Sequence, residues 1–223
     1  SATTFTITTG TGVTAGTNVA SSVGSPAIGG YSNSYSGPTV VNQGTLTLSG
    51  TLGGIQVPGD LIINNANVTE TTNAGQIAST SNVTFNGNAG VLTLVNANTF
   101  ATLTFNGTGG AQATTNITGG TFVLSGTTNA ITAVNDNVGS TPTISSATIW
   151  ELAGANRTIT TSGLSPIDLI LSGVIQNGST GTLALVKNGS GTLTLSGPST
   201  FTPMSFAVAA SAEPAPLLDG LFQ

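Results

Sequence analysis

Nine side chains supply nearly all the charge in these 223 residues: seven acids, Arg157 and Lys187, for a net charge of −5. The acids are Asp60, Glu70, Asp136, Glu151, Asp168, Glu213 and Asp219. Hydrolysis of a polysaccharide needs two carboxyl groups held close, one as acid and one as base or nucleophile. Nothing in the spacing of these seven brings two together. They are expected to be solvated or to sit at corners. A serine nucleophile needs a histidine, and there is none. With no cysteine there is neither a disulfide framework nor a thiolate metal site. Asn135-Asp136-Asn137 offers side-chain oxygens, but the further acidic ligands of a Ca²⁺ loop do not follow, so turn chemistry is the better reading. Trp150, beside Glu151, is expected in or near a core rather than as a platform for a sugar ring. The chain reads as a protein that is not an enzyme and that uses no cofactor and no metal.

Charge bounds the partners. Ordinary soluble domains carry roughly a quarter of charged residues; here they are 4%. Two cations cannot neutralise a run of phosphates, which excludes nucleic acid. Thr, Ser and Asn must solvate the surface instead. They do so without repelling a second copy, so association is favoured. No apolar run approaches the ~20 residues of a membrane helix. The sequence begins at Ser1 rather than Met. Removal of a signal peptide is the expectation, with an extracellular or cell-surface location.

The elements that position these residues are written in one phrase. Gly-Thr-Leu-Thr-Leu-Ser-Gly stands at 44–50 and again at 191–197. Looser copies are Val83 to Gly87, Leu103 to Gly107, Phe122 to Gly126 and Leu169 to Gly173. Alternation at period 2 puts Leu46 and Leu48 on one face and Thr45 and Thr47 on the other. The closing glycine is expected to supply a bend with φ > 0. Self-similarity of this kind predicts a stack of strand-and-turn units. Strands are expected at 3–9, over the repeated phrase, and at 61–63, 83–86, 91–95, 102–106, 121–125, 148–152, 158–160, 168–172 and 182–186.

Two stretches resemble the autotransporter-associated β-strand repeat, also called the passenger-associated transport repeat, of bacterial surface proteins. Lys187, Gly189, Gly191, Leu193, Leu195 and Gly197 match the first half of that repeat. Tyr35, Gly37, Thr39, Val41, Gly44 and Leu46 match its second half. Pro198 and Phe201 replace the usual Ala and Tyr, and no translocator barrel is expected within these residues. The resemblance implies a right-handed parallel β-helix, or β-solenoid, on a secreted protein. Short strands at close intervals also fit a β-sandwich, which is the alternative.

The domain expectation is a solenoid over 1–202 and an extended tail over 203–223. The tail opens apolar at Phe206-Ala-Val208, continues through a stiff Glu213-Pro-Ala-Pro216 spacer, and ends Leu217-Leu218-Asp-Gly-Leu221-Phe222. It is read as a cap on its own solenoid or as a strand lent to a neighbour. The functional expectation is a structural protein whose copies join head to tail into a filament, matrix or surface layer. Phe5, Ile7, Phe206, Val208, Leu217, Leu218, Leu221 and Phe222 are the candidate contact residues, and the joint would continue Leu46 and Leu48 with Leu193 and Leu195. The alternative is an adhesin module touching a cell surface or matrix. A third reading is ice binding through Thr-x-Thr pairs, such as Thr102/Thr104 and Thr158/Thr160. It suffers because the pairs recur at irregular intervals.

Overall fold

The computed structural model describes residues 5–7, 13–15, 32–107, 115–178, 183–200 and 205–208, and of 5–7, 13–15 and 205–208 the backbone alone. Among them there are strands and no helix. Rungs follow one another along the chain. The first three hold two strands each: β1 (Phe5–Ile7) and β2 (Val13–Ala15), β3 (Thr39–Val41) and β4 (Thr45–Leu48), β5 (Leu61–Asn64) and β6 (Asn67–Glu70). The next begins β7 (Asn82–Asn86), β8 (Val91–Thr93) and adds a third strand, β9 (Ala97–Phe100). Three more of that kind are β10 (Thr102–Gly107), β11 (Ile117–Thr118) and β12 (Thr121–Leu124); β13 (Ile131–Asn135), β14 (Thr143–Ile144) and β15 (Ile149–Glu151); β16 (Arg157–Gly163), β17 (Leu169–Leu171) and β18 (Val174–Gln176). Then come β19 (Ala184–Asn188) and β20 (Leu193–Leu195), and last β21 (Ser205–Val208).

Like strands stack on like. One sheet runs β1-β3-β5-β7-β10-β13-β16-β19-β21, a second β2-β4-β6-β8-β11-β14-β17-β20, and a third β9-β12-β15-β18. The strand pairings are parallel throughout. The fold is therefore a parallel β-solenoid, and the sandwich, built from antiparallel strands, is set aside. The expected strands are present. Those not foreseen, β2, β3, β6, β9, β11, β14 and β18, have two to four residues, too short a run for alternation to stand out. A further omission, β13, is shaped by its sheet: Ile131-Thr-Ala-Val-Asn135 alternates, but a small Ala133 takes the inner place.

Side chains at one register position form columns through the interior. In the second sheet Leu46, Val68, Leu92, Ile117, Ile144 and Leu171 stack in order and are buried. In the first sheet Leu61, Val83, Leu103, Ile131 and Ile159 do the same. Aromatic rings continue the pattern: Phe85 stacks on Phe105 at 5.1 Å, and Phe122 lies between Phe100 at 6.2 Å and Trp150 at 6.0 Å. Each fully buried side chain of this size contributes about 1.5–3 kcal/mol. Trp150 is in the core, as its strand position implies.

Corners need chain reversals that asparagine tolerates. Asn65, Asn96 and Asn129 take φ of 50°, 48° and 50°. Rungs differ in length because corners, not strands, absorb the extra residues. Asn106 bonds Asn86, 20 positions away, whereas Ala184 bonds Asn156 across 28.

Candidate functional surface and the repeat corners

The repeat residues hold rungs together. Lys187 takes an inner column position, opposite Ile159. Its Nζ turns back to donate to the carbonyl oxygens of Asn188 at 3.1 Å and Gly189 at 2.6 Å. A cation thus stands in a column above Ile159 and serves a corner. Gly189 has φ of 79°, and a Cβ there would strike the Thr161 carbonyl of the rung beneath. At Gly191 it would strike the Asp168 carboxylate, and at Gly197 the Gly173 carbonyl. In the other segment the Tyr35 hydroxyl bonds the buried Thr39 hydroxyl and reaches the Gln56 carbonyl at 3.3 Å. Burial raises the Tyr35 pKa, and the Thr39 bond opposes this. Val41 and Leu46 are core.

The outer faces carry neutral ladders. On the first sheet, Asn106 Nδ2 donates to Asn86 Oδ1 at 2.9 Å, Asn86 to Asn64 at 2.8 Å, and Asn64 to Asn42 at 2.5 Å. Beside them Thr84, Thr104, Thr132 and Thr160 stand in register on four successive strands. On the second sheet Thr47, Thr69, Thr93 and Thr118 do likewise. Spacing in the sequence is thus a poor guide to spacing in space. The paired array that ice binding requires is still interrupted, because buried Ala130 replaces the first Thr between Thr102/Thr104 and Thr158/Thr160. The Asn ladder cross-bonds neighbouring strands, and with the Thr lines it forms a hydrogen-bonding face without charge.

Two carboxylates are not solvated, contrary to expectation. Glu70 is 2% exposed, in the inner column above Leu48. It sits where the third sheet begins. It accepts from the Val95 N–H at 3.1 Å, the Asn98 amide at 3.0 Å and the Gln76 N–H at 3.4 Å. Gln76 in turn donates to the Leu48 carbonyl at 3.1 Å, so a buried polar chain joins three rungs. Asp168 is 1% exposed and accepts from the Thr192 N–H at 2.7 Å; its Oδ1 has no partner. Composition gives no sign of either burial. For Glu70 the signal is positional, since it stands two residues beyond inward Val68; Asp168, next to inward Leu169, carries no such signal. The expected turn chemistry is present, with Asn137 N–H donating to Asn135 Oδ1 at 3.2 Å and Gly139 N–H to Asn137 Oδ1 at 3.2 Å. Arg157 is 3% exposed, and its guanidinium donates to the Asn156 carbonyl at 3.4 Å. Burial lowers its pKa, yet it stays charged at any ordinary pH.

Burial raises the Glu70 pKa, and the bonds from Val95, Asn98 and Gln76 oppose this without cancelling it. A carboxyl with a raised folded-state pKa adds stability below its unfolded value, about 4.3, and that stability is lost as pH rises through the folded value. Melting temperature should therefore rise as pH falls from neutral into the acid range. Glu70→Gln keeps the shape and should remove that part of the slope. Parallel pH profiles for the two proteins would refute the assignment.

Of the expected contact residues, Phe5 and Ile7 lie in β1, paired opposite Thr39 and Val41. Phe206 and Val208 lie in β21, opposite Leu185 and Lys187. Leu217, Leu218, Leu221 and Phe222 lie outside the described residues. Leu46 and Leu48 are not at an edge: β4 is enclosed by β2 and β6. They cannot meet another copy, and the strand at that end of the second sheet is β2.

The passenger-associated-transport-repeat family model matches residues 27–48 and 185–203. These are the two stretches that resemble it, and between them the solenoid continues in the same register. No curated protein and no solved structure matches the chain. A repeat of this family on a β-solenoid points to a passenger-like domain and to a secreted or cell-surface location.

Proposed function

We propose that the chain is a non-catalytic, structural segment of a secreted or cell-surface protein, of the passenger kind. One observation carries the reading: the residues matched by the repeat model are those that build rungs and close corners. The neutral faces support it. The described carboxylates accept from backbone N–H groups or neighbouring side-chain amides of the solenoid, and we assign no substrate, cofactor or nucleic-acid partner. Placed between a signal peptide and a translocator barrel, the solenoid should reach the surface of a Gram-negative cell and be shaved by added protease. Retention inside intact cells would overturn the proposal.

The finer reading is head-to-tail assembly into a filament, matrix or layer. Parallel stacking favours it. β1 and β21 are the end strands of one sheet, and each has a single partner strand among the described residues. A contact between such unlike ends does not close on itself. Electron microscopy of the purified protein should show ordered fibres, whereas dispersed rods would favour the adhesin module. Fibres should persist from low to moderate NaCl, because backbone pairing and apolar burial are not screened. Dissolution by salt would mean that charge makes the joint.

A further inference from the structure

The two large sheets end at different heights. The first ends on β21, which pairs from Ala184↔Ser205 to Lys187↔Val208. The second ends one rung lower, on β20. Leu193 and Leu195 are therefore the last members of their columns among the described residues. Both are only partly buried, while Leu169 and Leu171 directly beneath are at 0% and 2% exposure. The step is apolar, and β20 has no strand beyond it among the described residues.

We propose that Leu217, Leu218, Leu221 and Phe222 of this same chain cover the step, laid over Leu193 and Leu195. Length allows it. In earlier rungs, passing from the first sheet to the second takes only the residues between Val41 and Thr45, or between Asn188 and Leu193. Residues 209–216 separate Val208 from Leu217, a tether that spans up to about 28 Å when extended. Chemistry favours it too. Pro214 and Pro216 have no N–H to give a ladder, which disfavours this spacer as a further rung. Beyond it come four large apolar side chains and a single charge, Asp219. Such a cover would sit level with β21 and complete the end of the solenoid. The inference rests on the stepped end, not on the passenger reading or on head-to-tail assembly.

The absence of cysteine makes a direct test clean. Thr194→Cys and Asp219→Cys are combined in the full chain, and dilute protein is treated with a short bis-maleimide. Links within single chains should dominate, and adding Leu218→Asp with Phe222→Asp should reduce them at least several-fold. Links found only between chains would overturn the proposal, since the segment would then cover a second copy. No links at all would overturn it as well. As a second measurement, deleting 209–223 should leave the far-ultraviolet β signal in place and raise binding of a hydrophobic dye severalfold. Unchanged dye binding by the folded, shortened chain would count against the cover. Failure of surface display would touch neither result.

Discussion

Phe122→Ala is expected to cost about 3–5 kcal/mol, the usual loss when a buried aromatic ring is cut to a methyl. Phe122 is fully buried and is the middle member of a stack, with Phe100 on one side and Trp150 on the other. No neighbour can slide into the gap, because each ring is held by the register of its own strand: Phe122 pairs with Asn98 below and Trp150 above. A solenoid is stabilised mainly by contacts between adjacent rungs, so the damage should be felt first in β9, β12 and β15. Trp150 is the only tryptophan, and its fluorescence reports on the affected place. Denaturant unfolding followed by that fluorescence should show an earlier midpoint. A loss below about 1 kcal/mol would mean that the stack collapses around the cavity, contrary to the rigid-column view.

Gly189→Ala is the second large effect. Its φ of 79° is a left-handed conformation that costs an alanine roughly 1–3 kcal/mol. Its Cβ would also overlap the Thr161 carbonyl of the rung beneath, which is backbone and cannot rotate away. Gly53 is the natural control. It has the same φ of 79°, but a Cβ there meets nothing within 4 Å. Gly53→Ala should therefore show the conformational cost alone, and Gly189→Ala that cost plus a displaced rung. Equal losses in thermal melts of the two variants would show that close stacking does not explain the repeat's glycine.

The repeat was legible because a solenoid asks the same thing of every rung. Gly191-Thr-Leu-Thr-Leu-Ser-Gly197 and its copy at 44–50 state the strand period and the inward leucines, which are local properties; the closing Gly50 and Gly197 do not take the positive φ expected of them and instead leave room for Gln56 and the Gly173 carbonyl. The expectation that Trp150 lies in or near a core is met as well. Strands such as β11 and β14 were not legible. Two residues carry no period, and Ile117 and Ile144 become strand residues only because Leu92 and Leu171 lie on either side of them.

The chain by itself determined a stack of strand-and-turn units with inward apolar residues and neutral hydroxyl and amide faces, while the parallel pairing that separates a solenoid from a sandwich is seen only in the stacked strands. Stacking decided the rest. Register brought Thr84, Thr104, Thr132 and Thr160 into one line although their intervals in the chain differ, because the corners take up the surplus residues. Stacking also buried Glu70 and Asp168, which composition alone would leave in water. Alternation assigns Glu70 to the face of Val68, but only the rung above supplies the Val95 and Asn98 donors that make its burial tolerable. Local residues choose which way a side chain points. The neighbouring coil, distant in sequence, determines what it meets there, and that contact sets both its charge and its cost.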